Sequence, residues 1–143
     1  MNALIIIISI TLFTVLSTII YNELNDMENR KKFIVIFFEI IICLIFSILI
    51  LKFSSFGIKY PTDRNKNSVT KILVAIFTPI NGIILLPEIT KIINEMQNEE
   101  KDNDKFNKRL KKIIIRCVVL VIIEVIYLKN IQNGILNIYK MKQ

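Results

Sequence analysis

The sequence predicts an all-α integral membrane protein, a small bundle of four transmembrane helices. Residues 2–22 run without a charge, and residues 33–51 carry only Glu39. Two further apolar stretches follow, at about 71–93 and 110–128. A helix of ~20 residues, rising ~1.5 Å per residue, covers the ~30 Å hydrocarbon core of a bilayer. The apolar residues surround each stretch instead of forming the single stripe of a soluble surface helix, so the surroundings are lipid. Mean hydropathy is +0.54 over 143 residues, 53% of them hydrophobic, and one membrane domain covers 1–143. The 33 Ile and 14 Asn against three Gly reflect an AT-rich genome as much as a lipid environment.

Helix 1, about 2–21, lacks the basic start and small-residue cleavage site of a secretory signal and reads as a retained span. Thr11, Thr14 and Thr18 share one face with i, i+3, i+7 spacing. Two uses are open to them: bonding a neighbouring helix, or bonding their own backbone carbonyls. A short charged connection leads to helix 2, about 32–53, and predicts helices 1 and 2 as antiparallel neighbours. Gly57, Pro61 and the Asn and Ser residues around them mark an irregular connection to the third region.

That third region, about 71–93, holds only 16 uncharged residues, Ile72 to Pro87. They amount to ~24 Å of helix, short of a full crossing. Pro79, Asn81 and Gly82 interrupt its middle and Pro87 its end, and proline removes a backbone donor. Two forms fit: a kinked span, or a re-entrant segment turning at Pro79 to Gly82, which leaves three true spans. Residues 94–112 read as a charged, solvated hairpin, although their composition would also let helices 3 and 4 project beyond the membrane. Its basic half, Lys105, Lys108, Arg109, Lys111 and Lys112, suits anionic lipid headgroups. Helix 4 spans about 110–128. Ile131, Ile135 and Ile138 then give residues 129–143 an apolar face, the pattern of an amphipathic interfacial tail. The positive-inside rule does not choose cleanly: four spans place ten Lys and Arg against eight, three spans twelve against six.

Glu39, Glu88, Arg116 and Glu124 are ionisable residues in or beside apolar runs, where a charge costs ~3 kcal/mol at a helix centre. If helices 2 and 4 enter from the same side, Glu39 can meet Arg116; alternatively Glu39 and Glu124 form a proton or cation relay. The chain has no His, which excludes a Ser-His-Asp triad and an H-E-x-x-H site. It also has no G-x-S-x-G elbow and no Walker A sequence. Cys43 and Cys117 lie in separate apolar runs and lack metal-site spacing, so no metal or cofactor is expected. The net charge of +7 sits between apolar runs, which favours lipid headgroups over nucleic acid as its partner.

The expected function is therefore non-enzymatic. It is that of a small subunit, accessory or immunity-type partner of another membrane protein, with a homo-oligomeric ion channel or holin-like pore as the alternative. Short loops and AT-rich codon usage point to a bacterial cytoplasmic membrane.

Overall fold

A computed structural model describes residues 3–24, 27–97 and 103–141. All secondary structure among them is helical: α1 Ala3–Glu23, α2 Asn29–Ser54, α3 Asp63–Gln97 and α4 Asn103–Met141. Local chemistry sets the ends. The Lys32 amide bonds the Glu28 carbonyl at 3.0 Å to open α2. The Ser55 amide and both Ser54 and Ser55 hydroxyls close on the Leu51 carbonyl. Gly57 then takes a left-handed φ of 82°, which a side chain would resist. Thr62 opens α3 by accepting the Asn65 amide on its hydroxyl, the role of an N-cap residue.

α1, α2 and α3 are long and apolar enough to cross a membrane; α4 is long enough but less apolar. α3 and α4, at 35 and 39 residues, extend about 52 and 58 Å and project past a bilayer core. The charged segment 94–112 is thus largely the continuation of two helices, and 98–102 lies outside the described residues.

α3 is the centre of the bundle. It packs on α1, α2 and α4, whereas α1 barely meets α2. Helices 1 and 2 are antiparallel and touch where Tyr21 meets Asn29, Lys32 and Phe33, but the main packing of α1 is along α3. Leu16, Ile20, Leu24 and Leu86 form the apolar core there, with Met27, Ile36 and Cys43 joining from the α2 side. Gly82 permits the contact, since a Cβ at this position would lie 2.5 Å from Leu16 Cδ2.

The re-entrant turn at Pro79 to Gly82 does not occur. α3 runs unbroken through Pro79 and Pro87. Pro79 has no N–H to offer the carbonyl of Ala75 one turn earlier. The hydroxyl of Ser9 on α1 donates to that carbonyl at 2.8 Å. A neighbouring helix thus replaces the bond that proline removes, as membrane helices allow.

The interfacial tail is also corrected. Residues 129–141 continue α4, and Ile131, Ile135 and Tyr139 pack against Ile50, Leu51, Val69, Leu73 and Leu128. Gln132 and Leu136 are buried with them, and of the three spaced Ile only Ile138 is exposed. Residues 142–143 lie outside the described part.

Ser9→Ala should lower thermal stability in detergent by about 1–2 kcal/mol by leaving the Ala75 carbonyl bare. In a Pro79→Ala background, where the helix supplies its own donor, the same change should cost less than ~0.5 kcal/mol. Equal losses in both backgrounds would show that Ser9 does not compensate for the proline.

Candidate functional site in the bundle interior

The outside of this bundle is apolar and its inside is partly polar. Phe33, Phe37, Ile42, Ile45, Leu49 and Phe53 on α2 are exposed, as are Ile115, Val118, Ile122 and Ile126 on α4. Glu39, Ser47, Ser54, Thr78, Asn81, Thr90, Glu124 and Gln132 are all buried. In water this arrangement would waste both sets of groups. In hydrocarbon it satisfies both, because lipid covers the apolar surface and polar groups find one another inside.

Helical spacing builds the seam. On α2, Glu39, Cys43 and Ser47 follow one another every four residues, and Ser54 lies two turns further on. On α4 the buried residues are Leu120, Glu124, Leu128, Gln132 and Leu136, again every four. Such i±4 rows form the ridges that helices pack into each other. α2 and α4 run in the same direction, and α3 runs opposite to both.

Three polar clusters result. In the first, the Thr90 hydroxyl oxygen lies 2.9 and 3.1 Å from the two Glu39 carboxyl oxygens and 2.8 Å from the Leu86 carbonyl. In the second, Asn81 Nδ2 donates to Ser47 Oγ at 2.9 Å, and Cys43 Sγ donates to the Thr78 carbonyl at 3.1 Å. Asn81 also hydrogen-bonds Glu124, and Ser47 hydrogen-bonds Cys43. Thr78 Oγ1, Asn81 Oδ1 and Glu124 Oε2 are buried there without a partner. In the third, Gln132 Nε2 donates to Ser54 Oγ at 3.1 Å, and the Tyr60 hydroxyl donates to Gln132 Oε1. Burial, reinforced by nearby Tyr139, raises the Tyr60 phenol above its usual value, which preserves this donor. Leu51, Leu73 and Leu128 separate the third cluster from Glu124.

The ionisable residues named from the sequence divide accordingly. Glu39 and Glu124 are interior; Arg116 and Glu88 form a pair on the flank of the bundle. Arg116 Nη1 lies 3.6 Å from Glu88 Oε1, and Lys91 reaches the same oxygen at 4.0 Å. The expected Glu39–Arg116 contact is replaced by two contacts to α3: Thr90 takes Glu39 and Glu88 takes Arg116. A second pair, Arg109–Glu95 at 2.6 Å, joins α3 and α4 further along. Lys105, Lys108, Lys111 and Lys112 remain exposed. Pro79 is buried beside Asn81 and Gly82, and Pro87 is half-buried.

At the end of α1, Lys32 is buried with Nζ 4.3 Å from the centre of the Tyr21 ring, a cation–π contact between α1 and α2. Thr11, Thr14 and Thr18 bond their own backbone four residues back, which decides between the two uses open to them. Among the described residues no group of His, Cys, Asp or Glu is placed to hold a metal ion.

Sequence reasoning missed Ser9, Ser47, Ser54, Thr78, Thr90 and Gln132 as members of the interior. The repeat of Glu39, Cys43 and Ser47 every four residues was the available signal. The chain matches no protein-family model, no curated protein and no solved structure.

Asn81→Ala should destabilise the bundle by about 1–3 kcal/mol, since Ser47 and Glu124 both lose their amide partner in a buried place. Thr11→Ala on the exposed face of α1 should stay within about 0.5 kcal/mol of wild type. Thermal unfolding in detergent measures both; equal effects would mean that the interior cluster carries no special weight.

Proposed function

We propose that this chain is a four-span protein of a bacterial cytoplasmic membrane that acts without catalysis, by seating a transmembrane helix of another membrane protein. The fourth span is α4. Its charges do not argue against crossing: Glu124 points into the bundle and Arg116 is paired with Glu88. Its outward residues over the same stretch include Ile115, Val118, Val119, Ile122, Ile123 and Ile126, which suit lipid.

The observation that carries the functional reading is the groove between α1 and α2. Consecutive helices that barely touch leave a cleft at membrane depth, lined by Phe13, Thr14, Ser17, Thr18, Tyr21 and Phe33 among others. Helix interfaces in membranes favour small Ser and Thr side chains, which let backbones approach closely. Thr14 and Thr18 bond their own carbonyls, so they meet a partner with their methyl groups. Ser17, between them, makes no hydrogen bond among the described residues and is the hydroxyl left for a partner. An acyl chain would use the apolar wall but not Ser17.

The pore alternative has less support. Its candidate lining, Glu39 and Glu124, is enclosed within one chain's bundle and does not face a surface that copies could share.

A photo-crosslinking residue at Ser17, introduced in native membranes, should give one discrete adduct with a second protein. The same residue at Ile122, on the far lipid face, should give none. Thr14→Trp, which fills the groove, should abolish the Ser17 adduct. Adducts of equal yield at both positions would contradict the reading. An adduct of this chain with itself, together with Glu39-dependent ion flux in liposomes, would favour the pore.

A further inference from the structure

Counting hydrogens in the interior reveals a deficit at both buried carboxyl groups. Thr90 has one hydroxyl hydrogen but three close oxygen neighbours: both carboxyl oxygens of Glu39, and the carbonyl of Leu86. If the hydrogen points to Leu86, an ionised Glu39 has no donor from Thr90 and faces its lone pairs. If it points to Glu39, the Thr90 and Leu86 oxygens sit 2.8 Å apart with nothing between them. One added proton resolves the conflict. Glu39 O–H then donates to Thr90 Oγ1, and Thr90 O–H donates to Leu86.

The second carboxyl shows the same shortage. Glu124 Oε2 and Asn81 Oδ1 are both buried acceptors without a donor, on side chains that meet. The Asn81 amide nitrogen has two hydrogens, one given to Ser47 and one to the other oxygen of Glu124, so none remains for Oε2. A proton on Glu124 removes one bare acceptor and supplies the donor that Asn81 Oδ1 lacks. A buried polar group without a partner costs about 1–3 kcal/mol, and more when charged, so the arrangement favours the protonated form.

We propose that the interior of the bundle is a two-site proton-binding centre, in which Glu39 and Glu124 each hold one exchangeable proton and donate it to Thr90 and Asn81. The reaction at each site is proton transfer from hydronium to a carboxylate: one O–H bond of hydronium breaks, one carboxyl O–H bond forms, and a water molecule is left. The titratable and charged groups around the centre are few. α2 contributes Cys43, near Glu124, and Lys32, buried two turns before Glu39 with its ammonium held over the Tyr21 ring. α3 contributes Glu88 and Lys91, and α4 contributes Arg116, which pairs with Glu88 on the flank. α1 brings no charge between Ala3 and Asn22. No cation is therefore bonded to either interior carboxyl among the described residues, and a proton is the counter-charge the site provides for.

This inference is independent of the groove between α1 and α2. Infrared spectroscopy of the full chain in lipid vesicles at neutral pH tests it. The spectrum should contain the carbonyl band of protonated carboxylic acids, shifted by exchange into heavy water. Glu39→Gln and Glu124→Gln should each remove about half of that band, and the double variant all of it. Circular dichroism checks that the variants keep their helices. If they do not fold, a base titration of wild type should abolish the band while the ionised carboxylate bands grow by the same two groups. A wild-type spectrum holding only ionised carboxylate bands overturns the proposal, as does a band that both substitutions leave in place. Loss of the whole band from a single substitution overturns the two-site form.

Discussion

A polar side chain inside a membrane bundle cannot fall back on water, so it must find a partner on a neighbouring helix or on its own backbone. That constraint organises this chain more than any apolar contact does. Lipid tails are as apolar as leucine, and moving an isoleucine from lipid into the bundle gains little. The amide of Asn81, by contrast, binds Ser47 on α2 and Glu124 on α4 from a fully buried place on α3. Three helices are fixed in register at one point. Gln132 repeats the arrangement near the other end, where it connects Ser54 and Tyr60.

α1 is held differently. Most of its surface is open, and its attachment to α3 combines the Leu16, Ile20 and Leu86 contact, the close approach at Gly82 and the bond from Ser9 to Ala75. The proline at 79 makes that bond useful twice over: it completes the ladder of α3 and anchors α1. A helix attached on one side only leaves its other side available. The groove beside α2 is thus a consequence of the way α1 is mounted.

Much of this was legible in the residues. Charge-free length marked α1 and α2 as long enough to cross a membrane, and the isolated carboxylates at 39 and 124 stood out within apolar runs. The errors share one cause, which is that local rules know nothing of neighbouring helices. Pro79 looks like a break because the sequence does not place Ser9 beside Ala75, 66 positions away. Residues 129–141 look interfacial because Gln132 reads as polar surface, until Ser54 and Tyr60 enclose it. Glu39 and Arg116 were brought to a common side but not together, because their partners on α3, Thr90 and Glu88, were set by the stagger between helices. Pairings across elements are tertiary facts, and the periodicity of one helix does not contain them.

The central claim is that α4 crosses the membrane with Glu124 and Gln132 turned into the bundle. Sidedness tests it most directly. In a background lacking Cys43 and Cys117, single cysteines are placed at Lys105 and at Met141, near opposite ends of α4 and both exposed. A membrane-impermeant maleimide is then added to intact, right-side-out vesicles. The account predicts that one of the two positions is labelled and the other only after the membrane is opened. Labelling of both from the same side would contradict it.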